Sequence, residues 1–217
     1  MSDLREILRG LAVFDGDLPT FDVTELPADP HELFTEWLLT AVAAGVREPH
    51  AMTLSTLGAD GDPAARVLIV KNVSAAGWEF ASDSGSRKGR ELTAHPAAAL
   101  TFYWSPLARQ VRVRGRVASL GPEASAADFL ARSPGARAEA LLGRQSTPLT
   151  GLADRDAAVR EAAERVARDP GLLAPGWTLH TLRAESVEFW QGDRDRRHTR
   201  VLYTRTDNGW ESGLLWP

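Results

Sequence analysis

The chain has 217 residues, 43% of them apolar, a formal net charge of -4 and no cysteine. That length allows one large domain or two small ones around a real core. The negative balance argues against general nucleic-acid binding, and the missing thiols exclude disulfides, thiolate chemistry and zinc-finger spacing.

Residues 1–28 scatter Leu8, Leu11, Val13, Phe14, Leu18, Phe21 and Leu26 among Gly, Pro and Asp, which predicts an arm with one short helix at Asp3–Arg9. Met1-Ser-Asp-Leu-Arg5 has no signal-peptide pattern, and no apolar run nears membrane-spanning length, so a soluble cytoplasmic protein is expected. Residues 29–217 read as one domain. Asp29-Pro30-His31-Glu32 is a helix start, with Asp as N-cap and Pro at the first position. Phe34, Trp37, Leu38, Ala41 and Val42 then form an apolar stripe that ends at Gly45.

From residue 51 the period changes to that of strands. Ala51–Leu57 and Ala65–Val73 flank the hairpin loop 58–63, followed by Trp78–Ser82, Ala98–Trp104 and Gln110–Ser119. The last of these alternates Val111, Val113 and Val117 with Arg112, Arg114 and Arg116. Residues 122–168 are Ala-rich and helical. Trp177–Leu182, Ser186–Gly192 and Arg196–Arg205 return to strand, and Asp207-Asn208-Gly209 turns the chain into Trp210–Leu215. The fold class expected is mainly β with α: a closed or split barrel of roughly six to eight antiparallel strands with helices outside.

The strongest candidate for chemistry is Ser86-Arg-Lys-Gly-Arg-Glu91, a helix start that carries two cations on its first turn. Free N–H groups and the positive end of the helix dipole attract an anion there, and Ser82, Ser84 and Ser86 add hydroxyls. A solvated charged helix start would read the same way. Yet Lys71 and Lys88 are the only lysines among 25 basic residues, which points to positions wanting a compact point charge. Arg66 and Lys71 are expected on opposite faces of one strand unless a bulge intervenes. Arg196, His198 and Arg200 are expected on one face of a later strand, against an anion or simply against water, with Trp190 and Gln191 on the strand before. No Gly-x-Gly-x-x-Gly, Walker loop or metal-ligand spacing occurs.

Arg66-Val-Leu-Ile-Val-Lys71, Ser86-Arg-Lys-Gly-Arg-Glu-Leu92, Phe102-Tyr-Trp104, Arg109-Gln-Val-Arg-Val-Arg-Gly115, Gln145-Ser146 and Glu188-Phe-Trp-Gln-Gly192 with Arg196-x-His198-x-Arg200 follow one another in an order that resembles the pyridoxine/pyridoxamine 5'-phosphate oxidase family. The resemblance covers the chain from about residue 30 onward. It implies an FMN-binding split barrel, usually a homodimer with FMN at the interface. It also implies an oxidase that moves a hydride from pyridoxamine or pyridoxine 5'-phosphate to flavin and then to O2, yielding pyridoxal 5'-phosphate and H2O2. Carried over residue by residue, Arg66, Ser82, Arg87 and Lys88 would hold the FMN phosphate and ribityl chain, and Gln110 would approach the ring. Gln145, Ser146, Trp190 and Arg200 would complete the cofactor site, partly from the other subunit. Lys71 and Arg132 would hold the substrate phosphate, with Arg196 and His198 on the catalytic side.

Two positions depart from that pattern. Asp128 stands where the family has a Tyr and Ala136 where it has a Ser, and losing two hydrogen bonds to a charged group costs roughly 3 kcal/mol or more. Arg197 replaces the usual Leu between Arg196 and His198. Val46-Arg-Glu-Pro49 and Arg132-Ser133 look more like the phenazine-biosynthesis branch of the family. A same-family oxidase acting on a reduced aromatic acid is therefore the alternative, and a non-catalytic FMN- or pyridoxal-phosphate-binding protein is the alternative from another class.

Overall fold

The structure, a computed structural model, describes residues 3–217. Asp3 caps the short helix α1 (Leu4–Arg9), as the arm's one predicted helix requires. The Asp29 carboxylate accepts from the His31 amide and starts α2 (Pro30–Ala43), which buries Leu33, Phe34, Trp37 and Ala41. Val42 was expected in that stripe but is 55% exposed. Gly45 ends the helix with φ 68°, a conformation open to Gly at little cost.

Among the described residues nine antiparallel strands form one sheet, rather than the six to eight expected. They are β1 (Ala51–Leu57), β2 (Pro63–Ile69), β3 (Asn72–Ser74), β4 (Gly77–Asp83), β5 (Ala97–Trp104), β6 (Arg109–Ser119), β7 (Trp177–Gln191), β8 (Thr199–Thr206) and β9 (Gly209–Leu214). The order is β2-β1-β5-β6-β7-β4-β3, and β8 joins β7 to β9. The barrel class is as expected. Its core runs from Phe34 and Trp37 through Leu54, Phe80, Leu100, Phe102, Val111 and Val113 to Phe189, Val201 and Tyr203. Phe21, Val23 and Leu26 of the arm pack against it.

Strand β7 organises the sheet. The polar stretch Arg183-Ala-Glu185 reads as a break in sequence, yet the strand runs through it unbroken. Its first half pairs with β4, its second half with β8, and both halves pair with β6 along the other edge. A register shift at Arg114/Gly115 absorbs the bend. A Cβ on Gly115 would lie 2.0 Å from the Arg183 carbonyl oxygen, so only glycine lets the strands approach there.

Two expectations about strands fail. β2 ends at Ile69, because the Val70 and Lys71 amides turn to the His50 and Glu79 carbonyls; Lys71 lies between β2 and β3, not on the strand of Arg66. β8 begins only at Thr199, so Arg196 and His198 lie in the β7–β8 loop and only Arg200 is on a strand. Arg196 sits at φ 64°, which no extended strand accommodates.

Helix α3 (Arg87–Ala94) follows β4. α4 (Pro122–Leu130), α5 (Pro134–Leu141) and α6 (Leu152–Arg168) pack outside the sheet on two small apolar clusters, around Phe129 and around Ala162 and Val166. Among the described residues no helix is long and apolar enough to cross a membrane.

Candidate active site

The start of α3 is built as its sequence requires. Ser86 Oγ accepts from the Gly89 amide at 3.2 Å and donates to the Asp83 carbonyl at 2.6 Å. A Cβ on Gly89 would lie 2.5 Å from the Asp83 and Ser84 carbonyl oxygens, so glycine lets the first turn press onto the incoming loop. Ser82 is buried beside it, with its hydroxyl toward Asp83 and Ser86.

Glu91, to which the sequence reading gave no role, gathers the neighbouring cations. Its carboxylate accepts from Arg66 at 2.9 Å, from Arg87 Nε at 2.9 Å and from the Thr56 hydroxyl. Burial pushes its pKa up, but these donors together hold it below the ordinary carboxylate value. The i, i+4 spacing of Arg87 and Glu91 was the available signal. Lys88 Nζ bonds Gln145 Oε1 at 2.9 Å, and the Arg87 amide reaches Ser146 Oγ at 3.4 Å. Desolvation, and then the like charge of Arg66, depress the Lys88 pKa. A desolvated lysine beside a second cation is a fitting donor for a phosphate, whose charge would relieve it.

A cavity of about 340 Å³ lies beside Lys88 and Ser82 and is also lined by Val67, Ile69, Lys71, Arg132, Gln145 and Trp177. Arg132 stacks over the Trp177 ring at 4.0 Å, and its buried NH1 has no hydrogen-bond partner. Lys71 Nζ is already paired with Asp128 at 2.9 Å, and Asp128 also accepts from Trp177 Nε1 at 2.8 Å. Ala136 offers no side-chain donor.

The remaining candidates lie elsewhere in the chain. Gln110, Trp190 and Arg200 are directly paired across β6, β7 and β8, so they stand side by side on the sheet's outer face. Glu188 holds Arg200 at 2.8 Å and also pairs with Arg112. These residues and Pro217 line a second, smaller cavity of about 180 Å³. His198 Nδ1 accepts from the Asp193 amide at 3.0 Å, which leaves the neutral ring's proton on Nε2. The ring packs against Trp190 and against Phe14 of the arm, with centroids 5.0 and 5.2 Å apart. Arg196 lies over Phe14, and Arg197 pairs with Asp195 at the surface. Trp177 begins β7 and Trp190 lies next to its other end. The candidates thus form two groups. Gln145 and Ser146 join the α3 group within one chain, and Gln110, Trp190, Arg196, His198 and Arg200 form the other.

Residues 38–166 match the family described as pyridoxamine 5'-phosphate oxidase, and residues 177–217 match the pyridoxine 5'-phosphate oxidase C-terminal dimerisation region. The chain belongs to the pyridoxamine 5'-phosphate oxidase family. A pyridoxine/pyridoxamine 5'-phosphate oxidase of Burkholderia multivorans is 41% identical over 201 residues, covering 91% of this chain and 94% of its own. One of Myxococcus xanthus is 39% identical over 192 residues, covering 88% of this chain and 93% of its own. Among solved structures, PhzG from Burkholderia lata 383, in complex with tetrahydrophenazine-1-carboxylic acid, superposes with a TM-score of 0.86 at 29% identity, covering 93% of this chain and all of that one. The pyridoxamine 5'-phosphate oxidase family fold, a split barrel with outer helices, is thus the fold of this chain.

Proposed function

We propose that the protein is an FMN-dependent oxidase that takes a hydride from a small anionic substrate and delivers the electrons to O2. The observation that carries this reading is the group of Arg66, Arg87 and Lys88 at the capped start of α3, next to a cavity of ligand size. When bound, FMN supplies the hydride acceptor and the route to O2. Arg66, Arg87, Lys88 and Ser82 hold its phosphate and ribityl chain, with Glu91 aligning the two arginines. Gln145 and Ser146 close the same end. Gln110, Trp190 and Arg200 come from the second copy of a homodimer, because a single chain keeps them apart from Lys88. That copy's Arg196 and His198 cover the substrate, fix the carbon that loses hydride and keep water away. Lys71 and Arg132 face the substrate's anionic group.

The full-length relatives carry names that make pyridoxamine or pyridoxine 5'-phosphate the first substrate to test, with pyridoxal 5'-phosphate as product. One observation favours a reduced aromatic carboxylic acid, as is bound to PhzG: Asp128 already neutralises Lys71. Anaerobic titration of the FMN-loaded protein separates the two. Flavin bleaching by pyridoxamine 5'-phosphate that reverses in air establishes the first. Bleaching only by a dihydrophenazine carboxylate establishes the second, and bleaching by neither overturns the oxidase reading.

A further inference from the structure

Two cations, Lys71 and Arg132, flank the Trp177 ring at 5.8 and 4.0 Å. They are not equally available. The Lys71 ammonium is held at 2.9 Å by Asp128, whose other oxygen is fixed by Trp177 Nε1. Both carboxylate oxygens are therefore engaged, and the Asp128 side chain is 13% exposed, so neither water nor a small rotation readily frees the pair. Arg132 also faces the charges of Glu139 and Asp128, yet its NH1 is buried with no partner. This end of the cavity thus holds one cationic nitrogen without a partner beside a lysine already neutralised. Val67, Ile69 and Trp177 give the cavity aliphatic and aromatic wall, and Glu48 and Lys88 bring one charge of each sign to its lining.

We propose that Asp128 sets the charge of the substrate: by pairing with Lys71 it fits this end of the cavity to a singly charged carboxylate on an aromatic ring and against a phosphate dianion. The physical basis is that a dianion costs far more to desolvate than a monoanion, and with Lys71 neutralised by Asp128 only the unpaired Arg132 nitrogen remains to offset that cost. Asp128 is a positioning residue, acting through Lys71 rather than on the reacting atoms. The proposal rests on the oxidase reading above and deepens its second form.

The test uses the FMN-loaded protein and two probes with the same ring, 1-naphthoate and 1-naphthyl phosphate, followed by the change each causes in the flavin spectrum. The wild type is expected to bind the carboxylate at least about tenfold more tightly at pH 8. D128N keeps an acceptor for Trp177 and frees Lys71, and is expected to move the ratio toward the phosphate by about tenfold with FMN content unchanged. A measurement independent of the variant comes from the phosphate ester itself, whose second ionisation lies near pH 6. Wild type should bind it more tightly at pH 5.5, as a monoanion, than at pH 8. A wild-type preference for the phosphate at pH 8 overturns the proposal while leaving the oxidase reading intact, as does a ratio that D128N leaves unchanged. Failure to load FMN, or a flavin that responds to neither probe nor to any substrate, overturns both.

Discussion

At the scale of single residues, His198 and Arg196 have different duties beside the proposed reaction centre. His198 is held through Nδ1 by the Asp193 amide and wedged between Trp190 and Phe14, so its Nε2–H is a fixed donor. Arg196 has no such anchor; it adopts φ 64° and lies over Phe14. A guanidinium that folds down on an anionic substrate contributes to binding and alignment, whereas hydride loss from an already aligned carbon needs little acid–base help. His198→Ala is therefore expected to lower kcat by only about tenfold, below the usual range of roughly 10²–10⁴ for general acid–base effects, and Arg196→Ala to cost more in kcat/KM. Steady-state rates on whichever substrate bleaches the flavin check this. A His198→Ala loss as large as that from removing FMN contradicts the division.

At the scale of elements, β7 carries a half-buried histidine, facing β4, that the site does not use. His180 stacks on Phe80 across that pair with ring centroids 5.4 Å apart, and its Nε2 is buried without a partner. Burial alone pushes its pKa down to about 4. The sign follows from linkage: the folded state holds His180 neutral, so its contribution is intact above the unfolded value of about 6.5 and is lost as pH falls from there toward 4. His180→Phe is expected to flatten the fall in Tm between pH 6.5 and 4, which thermal melts across that range would register. An unchanged pH profile would assign the acid sensitivity elsewhere. The elements themselves were largely legible in sequence, because caps are local. Asp29-Pro30 and Ser86 announce α2 and α3, and valines alternating with arginines announce β6. What the sequence hid were departures from regular pairing. Val70 and Lys71 leave β2 to bond His50 and Glu79, and β7 runs on through Arg183–Glu185 because Arg183 and Ala184 keep their β6 partners, Arg116 and Gly115, at the register shift.

At the scale of the whole molecule, the candidate site was legible as a list and not as an arrangement. The motifs name Lys88 and Trp190 alike, but only the topology separates them to different regions of one chain. Asp128 stood out in sequence as an awkward neighbour for an anion, and its bond to Lys71 became visible only once α4 was packed against Trp177. One outer face of the sheet carries exposed Val67 and Ile69 of β2 and Tyr103 of β5. The proposed division of the site between two copies has a genetic consequence. In that arrangement two inactive variants, Lys88→Ala and Arg196→Ala, damage different halves. Co-expressed in equal amounts and assorting freely, they form mixed dimers in which one site carries both lesions and the other carries neither. About a quarter of all sites should then be intact, so two dead proteins together would regain roughly that share of wild-type activity, while a mixture of Lys88→Ala and Arg66→Ala, both in the same half, would regain none.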